Sequence, residues 1–134
     1  MIAQSLAHTL IVDDDRAIRA TLLDLLSDEG YAVTEAGDGA QALPILRDDP
    51  HPLVVLLDAM MPHMSGMELL NAVEADPELR RQRAFLLITA NAHVLAADFR
   101  AQLKRMAIPI VPKPFDTEHL LQLIEDAATG LEAR

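Results

Sequence analysis

The stretch Leu53-Val54-Val55-Leu56-Leu57 is apolar at every position and stops at Asp58. A strand with one wet face alternates apolar and polar residues, so a run without alternation needs cover on both faces. It is far shorter than the roughly 20 apolar residues a membrane helix requires. The chain must therefore run this strand through a sheet with helices on either side. Its surroundings agree. Leu10-Ile11-Val12 is another short apolar run, halted by Asp13-Asp14-Asp15, and apolar residues then recur with helical spacing at Ile18, Leu22, Leu25 and Leu26. Gly30 follows where a helix C-cap would stand.

The alternation continues. Residues 31–36 read as a strand with Tyr31 and Val33 on one face, and Gly37-Asp38-Gly39 turns the chain into a helix over 40–47. Pro44 should shorten or distort that helix, because it removes one amide donor and crowds the carbonyl of Ala40. A third helix is expected over 67–75 and a fourth strand over 84–89. A fourth helix carries Leu95, Phe99, Leu103 and Met106, and a last one carries Leu120, Ile124, Ala127 and Leu131. Between them, residues 108–111 form a fifth strand that Pro109 and Pro112 should confine to the sheet edge, since proline donates nothing to a ladder. Five strand–helix units in this order predict an open parallel α/β sheet. With 134 residues there is room for one domain, its core over about 8–128 and loose ends at about 1–6 and 130–134.

Composition narrows the chemistry. Eleven basic and 21 acidic residues give a net charge of −10, which argues against nucleic acid or an anionic membrane as a direct partner. The absence of cysteine excludes disulfides, a thiol nucleophile and thiolate zinc sites. The N-terminal residues lack the pattern of a signal peptide, so a cytoplasmic location is expected. His8, His51, His63, His93 and His119 show no metal-ligand spacing and receive no role.

In open α/β sheets ligands bind beyond the carboxyl ends of the strands. Asp13 and Asp14 end the first strand, Asp58 the third and Thr89 the fourth, and Lys113 follows the fifth, so the polar candidates share one rim. Taken singly each has a plainer explanation: an acidic triplet suits a helix N-cap, and a lysine a solvated surface. Taken together they put three carboxylates in one crevice if the first and third strands are neighbours, which calls for a cation among them. Hard oxygen ligands of this kind suit Mg2+, with Mn2+ as a substitute.

In this order the motifs Leu10-Ile11-Val12-Asp13-Asp14-Asp15, Leu56-Leu57-Asp58-Ala59-Met60-Met61-Pro62 with Gly66, Ile88-Thr89-Ala90 and Lys113-Pro114-Phe115 resemble those of receiver domains of two-component response regulators, over roughly residues 8–128. The resemblance implies a flavodoxin-like (βα)5 sheet with strand order 2-1-3-4-5. It implies that Asp58 accepts a phosphoryl group from a phosphohistidine and that Asp14, Asp58 and the Met60 backbone carbonyl bind Mg2+, with Asp13 helping through water. Thr89 and Lys113 would meet phosphoryl oxygens, and Ala90 would keep the approach to Asp58 open. The Lys113–Pro114 bond would be cis and aim the ammonium into the crevice. A signalling switch of this kind catalyses only its own phosphoryl transfer and dephosphorylation and is not otherwise an enzyme.

Two departures from the family stand out. The switch position three residues before the lysine, usually aromatic or histidine, is Ile110, and Thr89 and Lys113 are separated by about two residues more than usual. The output face of the fourth helix, fifth strand and last helix would then present exposed parts of Ile108, Pro109 and Ile110 to an output protein or fused domain. Met60 and Asn91 flank the route of an attacking water; methionine cannot orient one, which predicts slow hydrolysis. A histidine kinase or phosphotransfer protein is expected to dock near Arg16, Arg19 and Leu23, and phosphorylation could drive dimerisation. Other classes fit less well: a flavin module lacks its phosphate loop, and a Mg2+-dependent aspartyl phosphatase lacks a cap and a second acid beside the nucleophile. A receiver-like module that binds partners without being phosphorylated would not need the complete acidic set.

Overall fold

In the computed structural model, which describes residues 7–132, five parallel strands lie in the order β2-β1-β3-β4-β5. They are β1 (His8–Val12), β2 (Val33–Ala36), β3 (Leu53–Asp58), β4 (Arg83–Thr89) and β5 (Ile110–Pro112). The helices are α1 (Arg16–Asp28), α2 (Gly39–Asp48), α3 (Gly66–Ala75), α4 (Pro77–Arg80), α5 (Ala97–Arg105) and α6 (Thr117–Glu132). This is the flavodoxin-like arrangement expected, with β5 on the edge and β3 central.

All six residues of β3 are buried, and its side chains alternate between two layers. Leu53, Val55 and Leu57 pack with Ala42, Leu46, Leu69, Val73 and Leu103, so α2, α3 and α5 cover one face. Val54 and Leu56 pack with Leu22, Leu26, Leu120 and Ile124 from α1 and α6 on the other. Period-two strands thus feed two separate cores, and the same pleat sends the strand ends to one rim.

The helix boundaries show how local chemistry sets them. Asp15 caps α1, accepting from the Ala17 and Ile18 amides at 2.9 and 3.2 Å. At its other end Gly30 adopts φ 90°, and the Tyr31 amide donates back to Leu26. Ser65 and Glu68 form a reciprocal capping box at α3.

Several expectations need correction. The helix holding Pro44 is not shortened: it runs ten residues, and Pro44 lies on its exposed side, where the ring displaces no core side chain. There are six helices among the described residues, because Pro77–Arg80 forms a turn of its own anchored by buried Leu79. A 3-10 turn over Ala92–Val94 precedes α5, so Leu95 and Met106 flank the helix they were assigned to. Strand β5 starts at Ile110, not Ile108, because a Schellman-type close of α5 with Ala107 at φ 57° uses up the preceding residues. In α6 the buried position is Ala128, with Ala127 only partly buried, and the helix continues past residue 130 with Leu131 buried. Of the loose ends expected at about 1–6 and 130–134, residues 1–6 and 133–134 lie outside the described residues.

Candidate functional site

The acidic rim assembles as the strand order requires. β1 pairs with β3 in parallel with Val12 opposite Leu57, so Asp13 and Asp58 both follow that pair at the sheet's carboxyl end. Carboxylate oxygens of Asp13, Asp14 and Asp58 all lie within 4.8 Å of one another. Asp13 is 3% and Asp58 8% exposed, whereas Asp14 is open to solvent. Of the acidic triplet, two residues therefore face the cluster, and the third, Asp15, serves the helix.

Lys113 supplies the counter-charge. Its Nζ lies 3.0 Å from Asp13 Oδ2 and 3.7 Å from Asp58 Oδ1. It is placed by β5, whose ladder ends with the Lys113 amide donating to the Thr89 carbonyl at 2.9 Å, and the Lys113–Pro114 bond is cis. Thr89 is 1% exposed at the end of β4, and its hydroxyl oxygen accepts from the Asn91 amide at 3.3 Å. Ala90 and Asn91 follow on the surface, and Met60 is 67% exposed beside the crevice. Ile110 is half-buried and packs against the α2/α3/α5 core.

One lysine among three carboxylates leaves the cluster net negative. Burial, followed by the charge of Asp13, pushes the Asp58 carboxyl from 3.8 up to about 6, against the opposing pull of Lys113 and the Met60 amide. A set of hard oxygens with a charge deficit of this kind fits a divalent cation. Asp13, Asp14 and Asp58 with the Met60 carbonyl are the groups that could hold one. The floor beneath Asp58 is tight: a Cβ on Gly66 would come within 2.8 Å of the Asp58 carbonyl oxygen and 3.1 Å of Ala59 Cα, so only glycine lets α3 start there.

Other expected residues are placed differently. Arg19, assigned to a docking face, turns inward: its Nη1 donates to the Asp13 carbonyl at 2.6 Å and its Nε to Glu35 at 3.2 Å. Arg16 remains exposed, and Leu23 is partly buried in the α1/α6 core. Ile108 is buried, which removes it from the exposed output face; Pro109 and Ile110 keep partial exposure there. His63, at φ 66°, places Nδ1 3.1 Å from Asp38 Oδ2 and so ties the loop after β3 to the cap of α2. His8 and His51 stack with centroids 3.8 Å apart.

Two polar centres escaped sequence reasoning. Arg83 is 8% exposed at the start of β4, and its guanidinium donates to the carbonyls of Leu46, Asp49 and His51 at 2.7 to 3.3 Å. It closes the C-terminus of α2 and the loop after it. Gln102 of α5 is buried and donates to Asn71 and Glu74 of α3, while Arg105 grips the same Glu74 with two bonds of 2.9 and 2.7 Å. The only advance signals were an arginine opening an apolar strand and an amide between apolar positions of a helix. A cavity of about 690 Å³, lined by Val73, Phe85, Arg105, Ile108 and Leu123, includes none of the acidic-rim residues.

Known proteins share the sequence pattern and the fold. The profile of the response regulator receiver domain matches residues 9–125. A probable chemotaxis protein CheY of Rhizobium etli is 38% identical over 87% of this chain and 88% of its own length. The response regulator MprA of Mycolicibacterium vanbaalenii is 38% identical over 84% of this chain, which spans only 46% of that relative. Among solved structures, a CheY-like receiver domain protein of Methanospirillum hungatei superposes with a TM-score of 0.83 at 29% identity, covering 96% of this chain and 98% of its own. Among the described residues no helix is long and apolar enough to cross a membrane. The sheet order, the acidic cluster with its lysine and this likeness along nearly the whole sequence place the chain in the response regulator receiver domain family of two-component signalling.

Proposed function

We propose that residues 1–134 form a single cytoplasmic receiver domain, core about 8–128, in which Asp58 accepts a phosphoryl group from a phosphohistidine of a histidine kinase or phosphotransfer protein. The observation that carries this reading is the convergence of the Asp13, Asp14 and Asp58 carboxylates within 4.8 Å, with Lys113 Nζ at 3.0 Å from Asp13 and 3.7 Å from Asp58. An Asp58 Oδ attacks phosphorus, an O–P bond forms, the P–N bond to the donor imidazole breaks, and the imidazole leaves with its electron pair and takes up a proton. With its carboxyl at about 6, Asp58 is about nine-tenths ionised at pH 7 and needs no general base to become a nucleophile.

Positioning and charge neutralisation supply the rest of the catalysis. Lys113 pairs with one phosphoryl oxygen as a point charge, and the Thr89 hydroxyl donates to another. Ala90 offers only a methyl group, too small to block the approach. Asp14, Asp58 and the Met60 carbonyl would hold Mg2+ or Mn2+, with Asp13 helping through water; the cation would neutralise charge that accumulates on the transferring group. Met60 cannot orient an attacking water, so the acyl phosphate is long-lived, with Asn91 the nearby polar group that sets its residual decay.

The product adds negative charge beside Thr89 and Lys113, which join the crevice to α5, β5 and α6. A partner or fused output domain reads that face, with Ile110 standing where the family usually has an aromatic. The test is intact mass after incubation with acetyl phosphate. One hydroxylamine-labile phosphoryl group that requires Mg2+ and is lost in Asp58→Ala is the expected result. No adduct would overturn it in favour of a module that signals by binding alone.

A further inference from the structure

We infer that Arg19 is a positioning residue for the cation site: it acts through the Asp13 backbone carbonyl to hold the two carboxylates of the β1–α1 loop in place. The inference rests on the phosphoacceptor reading above and deepens it. Arg19 leaves α1 one turn beyond the Asp15 cap and is only 18% exposed. Its Nη1 donates to the Asp13 carbonyl at 2.6 Å, and its Nε is held at 3.2 Å by Glu35 of β2. Glu35 thereby fixes the guanidinium, and the guanidinium fixes the peptide that joins Asp13 to Asp14.

Asp13 is then fastened at every polar atom. Its amide donates to Ala36 at 3.1 Å, its carbonyl accepts from Arg19, Oδ1 accepts from the Asp15 amide at 2.9 Å, and Oδ2 meets Lys113 at 3.0 Å. Three of these holds come from β2, the cap of α1 and the lysine just after β5, which the fold supplies in any case. Arg19 is the added one, and it acts on the oxygen nearest to Asp14, the most exposed member of the cluster. Groups that orient metal ligands in this way are commonly worth 10–100-fold in metal affinity.

The proposal carries a sign that separates it from simple electrostatics. Arg19 is a cation close to a cation site, so by Coulomb's law alone its removal should strengthen Mg2+ binding. Positioning demands the reverse. The experiment is a calorimetric Mg2+ titration of the wild type, Arg19→Met, Arg19→Lys and Glu35→Gln, each with its urea unfolding midpoint measured alongside. We expect Arg19→Met to weaken Mg2+ binding about tenfold or more. Arg19→Lys restores the charge without the two-pronged geometry and should recover little. Glu35→Gln leaves the arginine but loosens it and should weaken binding in the same direction by less; it also serves as the test if Arg19→Met does not fold.

Unchanged or tighter Mg2+ binding in Arg19→Met, or in Glu35→Gln where Arg19→Met does not fold, overturns the positioning role. So does full recovery by Arg19→Lys, or a lowered urea midpoint with affinity intact. A wild type that binds no Mg2+ overturns the phosphoacceptor reading itself, and this inference with it.

Discussion

Replacing Asp58 by asparagine should make the metal-free protein more stable. Burial and the neighbouring Asp13 raise the Asp58 carboxyl from 3.8 to about 6, so the folded state binds this proton more tightly than the unfolded chain does. A raised acid of this kind contributes stability that is fully present below pH 3.8 and is lost as the pH rises through about 6. Once the group is ionised, the difference amounts to about 3 kcal/mol against the folded state. Asparagine keeps the shape and carries no charge. Lys113 is not orphaned by the change, because Asp13 still holds it at 3.0 Å. In EDTA at pH 7.5, Asp58→Asn should unfold about 3 kcal/mol harder than wild type, a urea midpoint higher by about 1.5 M for an m-value of about 2 kcal/mol/M. At pH 4 the two curves should nearly coincide. A variant no more stable than wild type at pH 7.5, or an advantage that persists unchanged at pH 4, would refute the reasoning.

The same carboxyl ties Mg2+ binding to protons: calorimetry in buffers of different ionisation enthalpy should show about three-quarters of a proton released per Mg2+ at pH 5.5 and almost none at pH 8. Arg83→Met should cost about 3 kcal/mol in urea unfolding, because it strands the carbonyls of Leu46, Asp49 and His51, and Arg83→Lys should recover little of it. The extent of Asp58 phosphorylation by acetyl phosphate should stay near wild type in both, since this centre lies at the opposite end of β4 from Thr89. Met60→Asn should speed loss of the phosphoryl group about tenfold by giving water a polar partner, followed as decay of the intact-mass adduct; an unchanged decay rate refutes the role given to Met60.

The central strand was legible because five uninterrupted apolar residues admit one placement, and the rim followed because β1, β3, β4 and β5 each stop at or just before a polar residue. Strand β5 slipped by two positions for a physical reason. Pro109 lacks a donor but still offers its carbonyl to the Leu87 amide, so composition alone does not tell a ladder residue from its approach. Helix α4 has four residues and one buried side chain, too few for any periodicity. Arg19 and Arg83 were misread or missed for a shared reason. A charge in a sequence reads as solvated, and most of the carbonyls that receive these guanidiniums come from segments 6 to 37 residues away, brought together by the fold.

Asp58 is the last residue of a strand buried at all six positions and paired along both edges, to β1 and to β4. Amides on such a strand exchange with deuterium only when the whole domain opens. Asp58 is therefore a stationary point of this protein. Under the proposed phosphorylation, a group added there could not be accommodated by moving β3, so the rearrangement would fall on what borders it: the Thr89–Asn91 bend, the 3-10 turn with exposed Val94, and α5 beyond. A switch built this way would record its input on the part that does not yield and show it on the parts that do.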